Sequence, residues 1–269
     1  MFLNFPYKLK GKFALALSSG AAHGLAHIGV LKILEKYNIK IDILTGSSVG
    51  SIIGALWAEG YSSEDIYKIA KEFSWKKIAK LTLPHKGLLS IKGLEDMIKE
   101  YIPHNSFEGL SKKFGCVATS LQSEKPKYFT EGNLSKAICA SCAIPVVFKP
   151  VKINNEFFID GGFIENVPAP LARNMGADSV LGVRLNKYYK LSKKPDNMIK
   201  IVLHTMKIMS PAGRFSNYID RGDVVITPVI EEIDYDGLSR IDKLLKIGKK
   251  AAKEKLKNYN GKYFIKKTR

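Results

Sequence analysis

Ser48 lies in a pentapeptide with the residue types and spacing of a nucleophile elbow. The sequence Gly46-Ser47-Ser48-Val49-Gly50 has the G-x-S-x-G pattern, follows a short apolar run and precedes a run of small and apolar residues. A serine on a tight strand-to-helix turn has a strained backbone, and the glycines at positions 46 and 50 are expected to keep the substrate's approach open. The helix that follows directs the N–H groups of its first turn toward a developing oxyanion. The pattern therefore predicts that Ser48 is a catalytic nucleophile.

A serine nucleophile needs a base, and the sequence offers two arrangements. Asp160 follows an apolar run and precedes Gly161 and Gly162, a pattern typical either of a tight turn or of a functional carboxylate with open surroundings. In a triad, His204 would be the base and Asp160 its partner. His204 falls within an apolar helical stretch, however, where a packing or surface role is more common. In a dyad, Asp160 itself takes the Ser48 proton, which requires direct contact between the carboxylate and the hydroxyl.

The loop after the first predicted strand is suited to binding an anion. Its sequence is Ser19-Gly20-Ala21-Ala22-His23-Gly24, and small residues at a strand-to-helix turn leave backbone N–H groups accessible. A phosphate loop needs G-x-x-x-x-G-K-[ST] and a dinucleotide site needs G-x-G-x-x-G, and the loop matches neither pattern. An oxyanion hole needs only two N–H groups that point at one position. We therefore predict that Gly20 and Ala21 donate to an oxyanion.

The elements that position these residues alternate between strands and helices. The predicted strands are 12–18, 39–45, 114–120, 127–129, 157–159, 178–183 and 224–226. The predicted helices are 25–36, 51–59, one capped by Ser62, 133–142, 168–174, 198–209 and 244–257. This alternation indicates an α/β fold with a mostly parallel sheet, in which strand-to-helix turns meet at the carboxyl ends of the strands. Residues 73–91 have no clear periodicity and are interpreted as a cap over the site, a lipid-facing loop or plain connecting structure.

The motifs together resemble those of the patatin-like phospholipases. The matching segments are Leu17–Leu31, the elbow around Ser48, Ala140-Ser141-Cys142-Ala143-Ile144-Pro145 and Asp160-Gly161-Gly162, within a resemblance that covers roughly residues 12 to 250. The resemblance implies a patatin-type three-layer α/β/α sandwich with a mostly parallel central sheet. It also implies that acyl esters, commonly phospholipids or lysophospholipids, are hydrolysed through an acyl-enzyme by a Ser-Asp dyad, without a metal or cofactor. Carried onto this chain, it makes Ser48 the nucleophile, Asp160 the base, and Gly20 and Ala21 the oxyanion donors.

The anion-binding turn departs from the family pattern G-G-G-x-[RK]-G. Ser19 and Ala21 replace two glycines, and the Cβ of Ala21 is expected to keep that residue out of the positive-φ region. His23 replaces the basic residue and is a possible head-group contact, although it is mostly neutral at pH 7. His27 is predicted to be a packing residue of the first helix. A non-catalytic lipid-binding module is therefore the alternative to an esterase.

Length and composition favour one globular domain over residues 1–269. The chain has 45% hydrophobic residues, enough for a full core. It has neither an 18-residue apolar window nor the apolar region of a signal peptide, so we expect a protein that is cytoplasmic or peripheral on the inner face of the membrane. Cys139 and Cys142 have C-x-x-C spacing without further ligands, which favours core thiols over a zinc site.

The net charge of +18 is concentrated at the C-terminus. Residues 243–269 contain eleven Lys or Arg residues and one acidic residue, Glu254. The segment 244–257 has the pattern of a basic amphipathic helix, which could bind an anionic membrane surface or be a solvated helix face. Nucleic-acid binding is disfavoured, because neither zinc-finger spacing nor an RNA-binding aromatic signature accompanies the charge.

Overall fold

A computed structural model describes residues 5–7, 11–72, 90–185, 201, 223–230, 241–257 and 264–266. Most of the predicted cap at 73–91 and nearly all of the predicted helix at 198–209, including His204, lie outside these residues. The strands are β1 (Phe5–Tyr7), β2 (Phe13–Leu17), β3 (Ile43–Ser47), β4 (Lys113–Ser120), β5 (Pro126–Phe129), β6 (Val151–Ile153), β7 (Glu156–Asp160), β8 (Ser179–Val183), β9 (Val224–Ile226) and β10 (Phe264–Lys266). The α-helices are α1 (Leu25–Lys36), α2 (Val49–Glu59), α3 (Ser63–Glu72), α4 (Lys92–Tyr101), α5 (Leu134–Ser141), α6 (Ala169–Asn174) and α7 (Ile241–Leu256).

The central sheet is mixed but mostly parallel, which confirms the predicted fold class. Its strand order is β6-β7-β4-β3-β2-β8-β9, and β5 pairs with β4. Strands β4, β3, β2, β8 and β9 are parallel, whereas β5, β6 and β7 are paired antiparallel. Strands β1 and β10 form a separate antiparallel pair. The carboxyl ends of the five parallel strands therefore share one edge of the sheet, which we call the carboxyl edge.

Helices pack on both faces of this sheet because the side chains of the strands alternate in direction. In β2, Leu15 and Leu17 belong to the larger core cluster, which includes residues from α1, α2 and α7. Ala14 and Ala16 belong to a second cluster on the other face, where they pack with residues of α6. All four side chains are fully buried, so β2 runs through the middle of the three layers.

Helix α7 is part of the core, although its sequence is that of a basic surface helix. A Cβ added to Gly248 would lie 1.9 Å from the Ala26 carbonyl oxygen, and one added to Gly29 would lie 2.2 Å from the Leu245 carbonyl oxygen. The two glycines thus let the backbones of α1 and α7 approach each other closely. The apolar face of α7, including Leu244 and Leu256, is buried. That face packs within the protein, and the lysine-rich face is left at the surface.

Strand β7 extends the course of β3 toward the end of the sheet. The N-terminal part of β4 pairs with β3 up to Val117, and its last three residues pair with β7. Strand β5 pairs with β4 on the opposite side, over residues 116–119. Strands β3 and β7 each pair with β4 residues that also pair with β5. Both strands must therefore lie on the side of β4 that β5 does not occupy. Strand β7 therefore runs toward the end of β3, and Asp160 ends beside the residue that follows β3, Ser48.

Candidate active site

Ser48 connects β3 to α2 and has a strained backbone. Its dihedral angles are φ 52° and ψ −126°, outside the regions that non-glycine residues usually occupy. The Ser48 N–H donates to the Ser141 hydroxyl at 2.8 Å. The Ser48 carbonyl accepts from the Ser51 hydroxyl at 2.6 Å and from the Ser51 N–H at 2.7 Å. Buried hydrogen bonds from α5 and α2 therefore hold both polar backbone groups of Ser48 in place.

The glycines of the elbow have a packing role that the sequence did not predict. A Cβ on Gly46 would lie 2.4 Å from the Gly50 carbonyl oxygen, and a Cβ on Gly50 would lie 2.3 Å from the Leu17 carbonyl oxygen. Side chains at these positions would clash with backbone, so the glycines let β2, β3 and α2 pack together. That they also keep the substrate's approach open stays a prediction.

The structure places the Ser48 side chain close enough to the Asp160 carboxylate for a hydrogen-bonding interaction that lowers the pKa of Asp160. Both residues are 5% exposed. Burial raises the pKa of Asp160 from 3.8 to about 6, while hydrogen bonds from Ser48 and from the Gly162 N–H counteract part of this rise. A carboxylate with a raised pKa that touches a hydroxyl has the contact and the basicity that a general base requires.

Asp160 is fixed through its backbone as well as its carboxylate. Its N–H donates to the Ala143 carbonyl at 3.0 Å, and its carbonyl accepts from the Thr119 hydroxyl at 3.0 Å. A 3₁₀ turn (Gly161–Phe163) follows it in place of a hairpin turn. The Gly162 N–H donates to the carboxylate at 2.8 Å, and a Cβ on Gly162 would lie 3.0 Å from the same oxygen. The Asp-Gly-Gly sequence thus lets backbone approach the carboxylate closely.

The predicted oxyanion turn lies between β2 and α1, beside the elbow. Within the described parts of the chain, the N–H groups of Gly20 and Ala21 have no hydrogen-bond acceptor. Ala21 has φ 47°, so the expectation that its Cβ excludes positive φ is wrong. A left-handed alanine costs roughly 1–2 kcal/mol, which the surrounding structure must offset. The turn therefore offers two donors at the carboxyl edge that have no acceptor among the described residues, despite its loss of glycine.

A family model described as "Patatin-like phospholipase" matches residues 15–173, which is more than half of the chain. The chain belongs to the patatin-like phospholipase family. A lysophospholipase NTE1 from Meyerozyma guilliermondii is 25% identical over 264 residues, which cover 87% of this chain and 18% of that protein. An NTE family protein from Mycobacterium tuberculosis is 35% identical over 179 residues, which cover 65% of this chain and 49% of that protein. The chain thus spans between about a fifth and a half of the length of these relatives.

Solved structures of low sequence identity share the fold. VipD from Legionella pneumophila has a TM-score of 0.55 at 12% identity, over 96% of this chain and 71% of that one. ExoU in its complex with SpcU from Pseudomonas aeruginosa has a TM-score of 0.52 at 15% identity, over 94% of this chain and 52% of that one. At these identities the similarity supports the patatin-like fold alone.

Ser19, which replaces a glycine of the family pattern in the oxyanion turn, makes specific contacts. The Ser19 hydroxyl donates to the Asn166 side-chain oxygen, and the Ser19 N–H donates to the Asn166 carbonyl at 3.1 Å. Asn166 is buried and follows Asp160 by six residues, so this contact joins the oxyanion turn to the segment that carries the base. No role was predicted from the sequence for Asn166 or for Ser141. Ser141 could have been found, because it lies in the family motif at residues 140–145.

The histidines have different environments. His23 is 9% exposed, so the side chain predicted as a possible head-group contact is mostly buried. His27 is fully buried in α1, and burial lowers its pKa to about 4. Because a neutral His27 lies 2.9 Å from the Ser18 carbonyl, its Nε2 carries the proton and donates. Neither histidine provides a solvent-exposed cation to the turn.

An apolar cavity of about 80 Å³ is lined by Val49, the residue that follows Ser48, and by Ala21 of the oxyanion turn. It begins at Ala21 and Val49 and follows one face of α2 through Ile52 to Leu56, between α1, α3 and α4. From Val49 to Leu56 the helix rises by about 10 Å. Every described residue that lines it is apolar, so the cavity suits a hydrocarbon chain.

Other reactive groups near the site are buried and paired or lie in the core. Burial raises the pKa of Glu165 from 4.5 to about 7, and the Tyr128 hydroxyl donates to its carboxylate at 2.7 Å. The three cysteines are free thiols in the interior, and burial raises the pKa of each.

In the described ranges, His, Cys, Asp and Glu side chains form no group that could hold a metal ion. No described helix has the length and apolarity needed to cross a membrane.

Proposed function

We propose that the chain is a serine acyl-ester hydrolase that acts on lipids through a Ser48–Asp160 dyad. The position of the Ser48 hydroxyl beside the buried Asp160 carboxylate, whose pKa it lowers, carries this proposal. Membership in the patatin-like phospholipase family supports it, and so do the N–H groups of Gly20 and Ala21, which have no acceptor in the part of the chain that the structure describes.

The reaction proceeds in two halves. In the first, Asp160 accepts the Ser48 proton while Oγ attacks the ester carbonyl carbon, and the N–H groups of Gly20 and Ala21 stabilise the oxyanion. The C–O bond to the alcohol breaks, the alcohol leaves with the proton from Asp160, and an acyl-enzyme remains. In the second, Asp160 takes a proton from water, the resulting hydroxide attacks the acyl-enzyme, and the fatty acid leaves as Ser48 regains its proton.

The substrates we propose are phospholipids, lysophospholipids or other fatty-acyl esters. The apolar cavity beside Ser48 would bind the acyl chain. The relative from Meyerozyma guilliermondii is named a lysophospholipase, and this chain covers 18% of that protein. A cavity of about 80 Å³ is smaller than an engineered cavity of about 150 Å³ that holds benzene, so long chains require the lining helices to separate.

Activity measurements on single variants test the dyad. We expect Ser48→Ala and Asp160→Asn to abolish ester hydrolysis, and full activity in either variant would refute the proposal. Ser47→Ala is the matched control, because Ser47 is the neighbouring buried serine and its hydroxyl has no hydrogen-bond partner in the described structure. His204→Ala should remain active, because a dyad uses no histidine. A large loss of activity in this variant would favour the triad.

A fluorophosphonate probe separates the enzyme from a lipid-binding module. Such a probe reacts with an activated serine, so we expect it to label the wild-type protein and Ser47→Ala but not Ser48→Ala. Absence of labelling in the wild-type protein, together with binding of lipid, would support the non-catalytic module.

We also propose that the protein associates peripherally with anionic membranes. The lysines of α7 provide the charge, and the apolar face of that helix is unavailable because it packs on α1. Deletion of residues 243–269 would remove buried core residues, so neutralising exposed lysines is the appropriate test.

A further inference from the structure

Three of the large apolar side chains that the described structure exposes lie at the carboxyl edge of the sheet. Leu121 follows β4 and is 46% exposed, and Val229 lies three residues after β9 and is 71% exposed. Phe157 is 43% exposed, and its carbonyl accepts from the Leu121 N–H at 2.9 Å. Exposed apolar residues that concentrate on one surface indicate an interaction site.

These side chains lie on both sides of Ser48. The order of the parallel strands is β4-β3-β2-β8-β9, so Leu121 and Val229 follow strands that are four strand spacings apart. With neighbouring strands about 4.8 Å apart, this separation is about 19 Å. Ser48 follows β3, between them, at the same edge. The apolar side chains therefore flank the candidate nucleophile on a surface wide enough to contact an extended partner.

Lysines accompany both apolar positions. Lys125 and Lys152 are exposed near Leu121 and Phe157, and the Lys152 ammonium lies 5.9 Å from the centre of the Phe157 ring. Val229 borders a surface depression that also contains Lys243, Lys250, Lys255 and one acid, Glu254. On the other side, Glu124 is the exposed acid beside Lys125. Among these described side chains cations outnumber acids, which favours an anionic partner.

We propose that this surface, the lipid edge (Leu121, Phe157 and Val229 with Lys125, Lys152, Lys243 and Lys250), docks on an anionic phospholipid bilayer. The apolar side chains enter the head-group layer, and the lysines contact the anionic head groups. The inference rests on the proposed function, because a lipid ester must travel from the bilayer to Ser48. Docking by the carboxyl edge places the elbow and the mouth of the apolar cavity at the lipid surface, which shortens that path.

The bilayer fits these observations better than a protein partner. The three side chains occupy two separate positions about 19 Å apart, with Ser48 between them. A protein seated across both positions would cover the site, whereas a bilayer supplies the substrate there. The chain's net charge of +18 also favours an anionic surface through long-range attraction.

Vesicle sedimentation with purified full-length protein tests the lipid edge. The vesicles are phosphatidylcholine alone or mixed with phosphatidylglycerol, at low ionic strength. One variant carries Leu121→Ser, Phe157→Ser and Val229→Ser, and a second carries Lys125→Gln, Lys152→Gln, Lys243→Gln and Lys250→Gln. The matched control carries Lys40→Gln and Lys113→Gln, which change exposed lysines at the opposite, amino edge of the sheet.

We expect the serine variant to bind mixed vesicles at least tenfold more weakly and the lysine variant to lose about fivefold per lysine. Per substituted lysine, the control loses much less than the lysine variant. All variants should hydrolyse a soluble short-chain ester like wild type, which shows that the fold and site are intact. Unchanged vesicle binding by the serine variant would overturn the lipid edge, and so would equal binding of wild type to neutral and mixed vesicles.

Two further outcomes are distinguishable. If the wild-type protein binds vesicles through this surface but does not hydrolyse the soluble ester, the proposed function fails while the lipid edge stands. If the wild-type protein self-associates and the serine substitutions abolish this association with vesicle binding unchanged, the surface belongs to a second copy of the chain. That result would overturn the lipid edge.

Discussion

Replacing Ser48 by alanine should raise the pKa of the Asp160 carboxyl group above its value of about 6 in the intact site. Burial raises this pKa, and the two hydrogen bonds from Ser48 and Gly162 lower it by stabilising the carboxylate. Ser48→Ala removes one of these two donors and leaves the burial unchanged. A hydrogen bond to a charged group contributes about 1.5–3 kcal/mol. Since one pKa unit corresponds to about 1.4 kcal/mol, we expect a rise of at least about one unit.

The measurement is a titration of the Asp160 carboxyl carbon by NMR in protein labelled with ¹³C at aspartate, with Asp160→Asn identifying the signal. In the wild-type protein, the same group should control the pH dependence of ester hydrolysis. Asp160 acts as a base only when it is deprotonated, so kcat/KM should rise with pH through about 6 and then become constant. At pH 5, about one tenth of the molecules carry the carboxylate, and kcat/KM should be about one tenth of its plateau.

Thr119→Val is the matched control for this titration. The Thr119 hydroxyl donates to the backbone carbonyl of Asp160 and makes no hydrogen bond to its carboxylate. This variant removes a hydroxyl of similar burial near the same residue, and the pKa of Asp160 should remain near 6. An unchanged pKa in Ser48→Ala would contradict the dyad contact, and an equal rise in Thr119→Val would show that the shift reflects general disturbance of the site.

Three further predictions concern residues around the dyad. Ser141→Ala leaves the buried Ser48 N–H without its acceptor, so the unfolding free energy measured by urea denaturation should fall by about 1–3 kcal/mol. The kcat of this variant should also fall, and Ser141→Thr should restore both quantities. Ile52→Phe adds volume at the apolar cavity and should lower the ratio of octanoate to acetate ester hydrolysis, whereas an unchanged ratio would separate the cavity from the acyl chain. Burial raises the pKa of Glu165 from 4.5 to about 7, so the folded protein binds this proton more tightly than the unfolded chain does. This stabilisation is fully present below pH 4.5 and is lost as the pH rises through 7, where the free energy of unfolding is lower by about 3 kcal/mol. Glu165→Gln should therefore flatten the dependence of the urea midpoint on pH between 5 and 8, and a parallel dependence in both proteins would contradict this assignment.

The parts of the site that the sequence predicted are those coded by local pattern. Strand β2 is an apolar run bounded by glycines, and the elbow has its glycines at fixed spacing, so both were recognisable within a few residues. The contact between Ser48 and Ser141 joins residues 93 positions apart. The placement of Asp160 depends on the pairing of β7 with the last three residues of β4, beyond the point where β3 ends. Such contacts depend on topology, which a local pattern does not specify.

The C-terminal helix shows a second limit of sequence patterns. An amphipathic helix that packs on another helix and one that lies on lipid have the same periodicity of apolar residues. The sequence signal that distinguishes them in α7 is Gly248, an isolated glycine in the helix interior. Its backbone meets α1 at Ala26, where a Cβ would not fit.

The altered oxyanion turn is held by tertiary contacts instead of by glycine content. Ala21 and Ser48 both have positive φ and follow the neighbouring strands β2 and β3. A Cβ on Gly24 would lie 2.3 Å from the Val49 side chain, so the end of the oxyanion turn packs directly on the first residue of α2. Ser19 ties the start of the same turn to Asn166. With both ends fixed, Ala21 is confined to its left-handed conformation, and a cost of roughly 1–2 kcal/mol is small beside the contacts that impose it. The glycine that this turn requires is the one at which two elements meet, position 24, whereas positions 19 and 21 accept side chains.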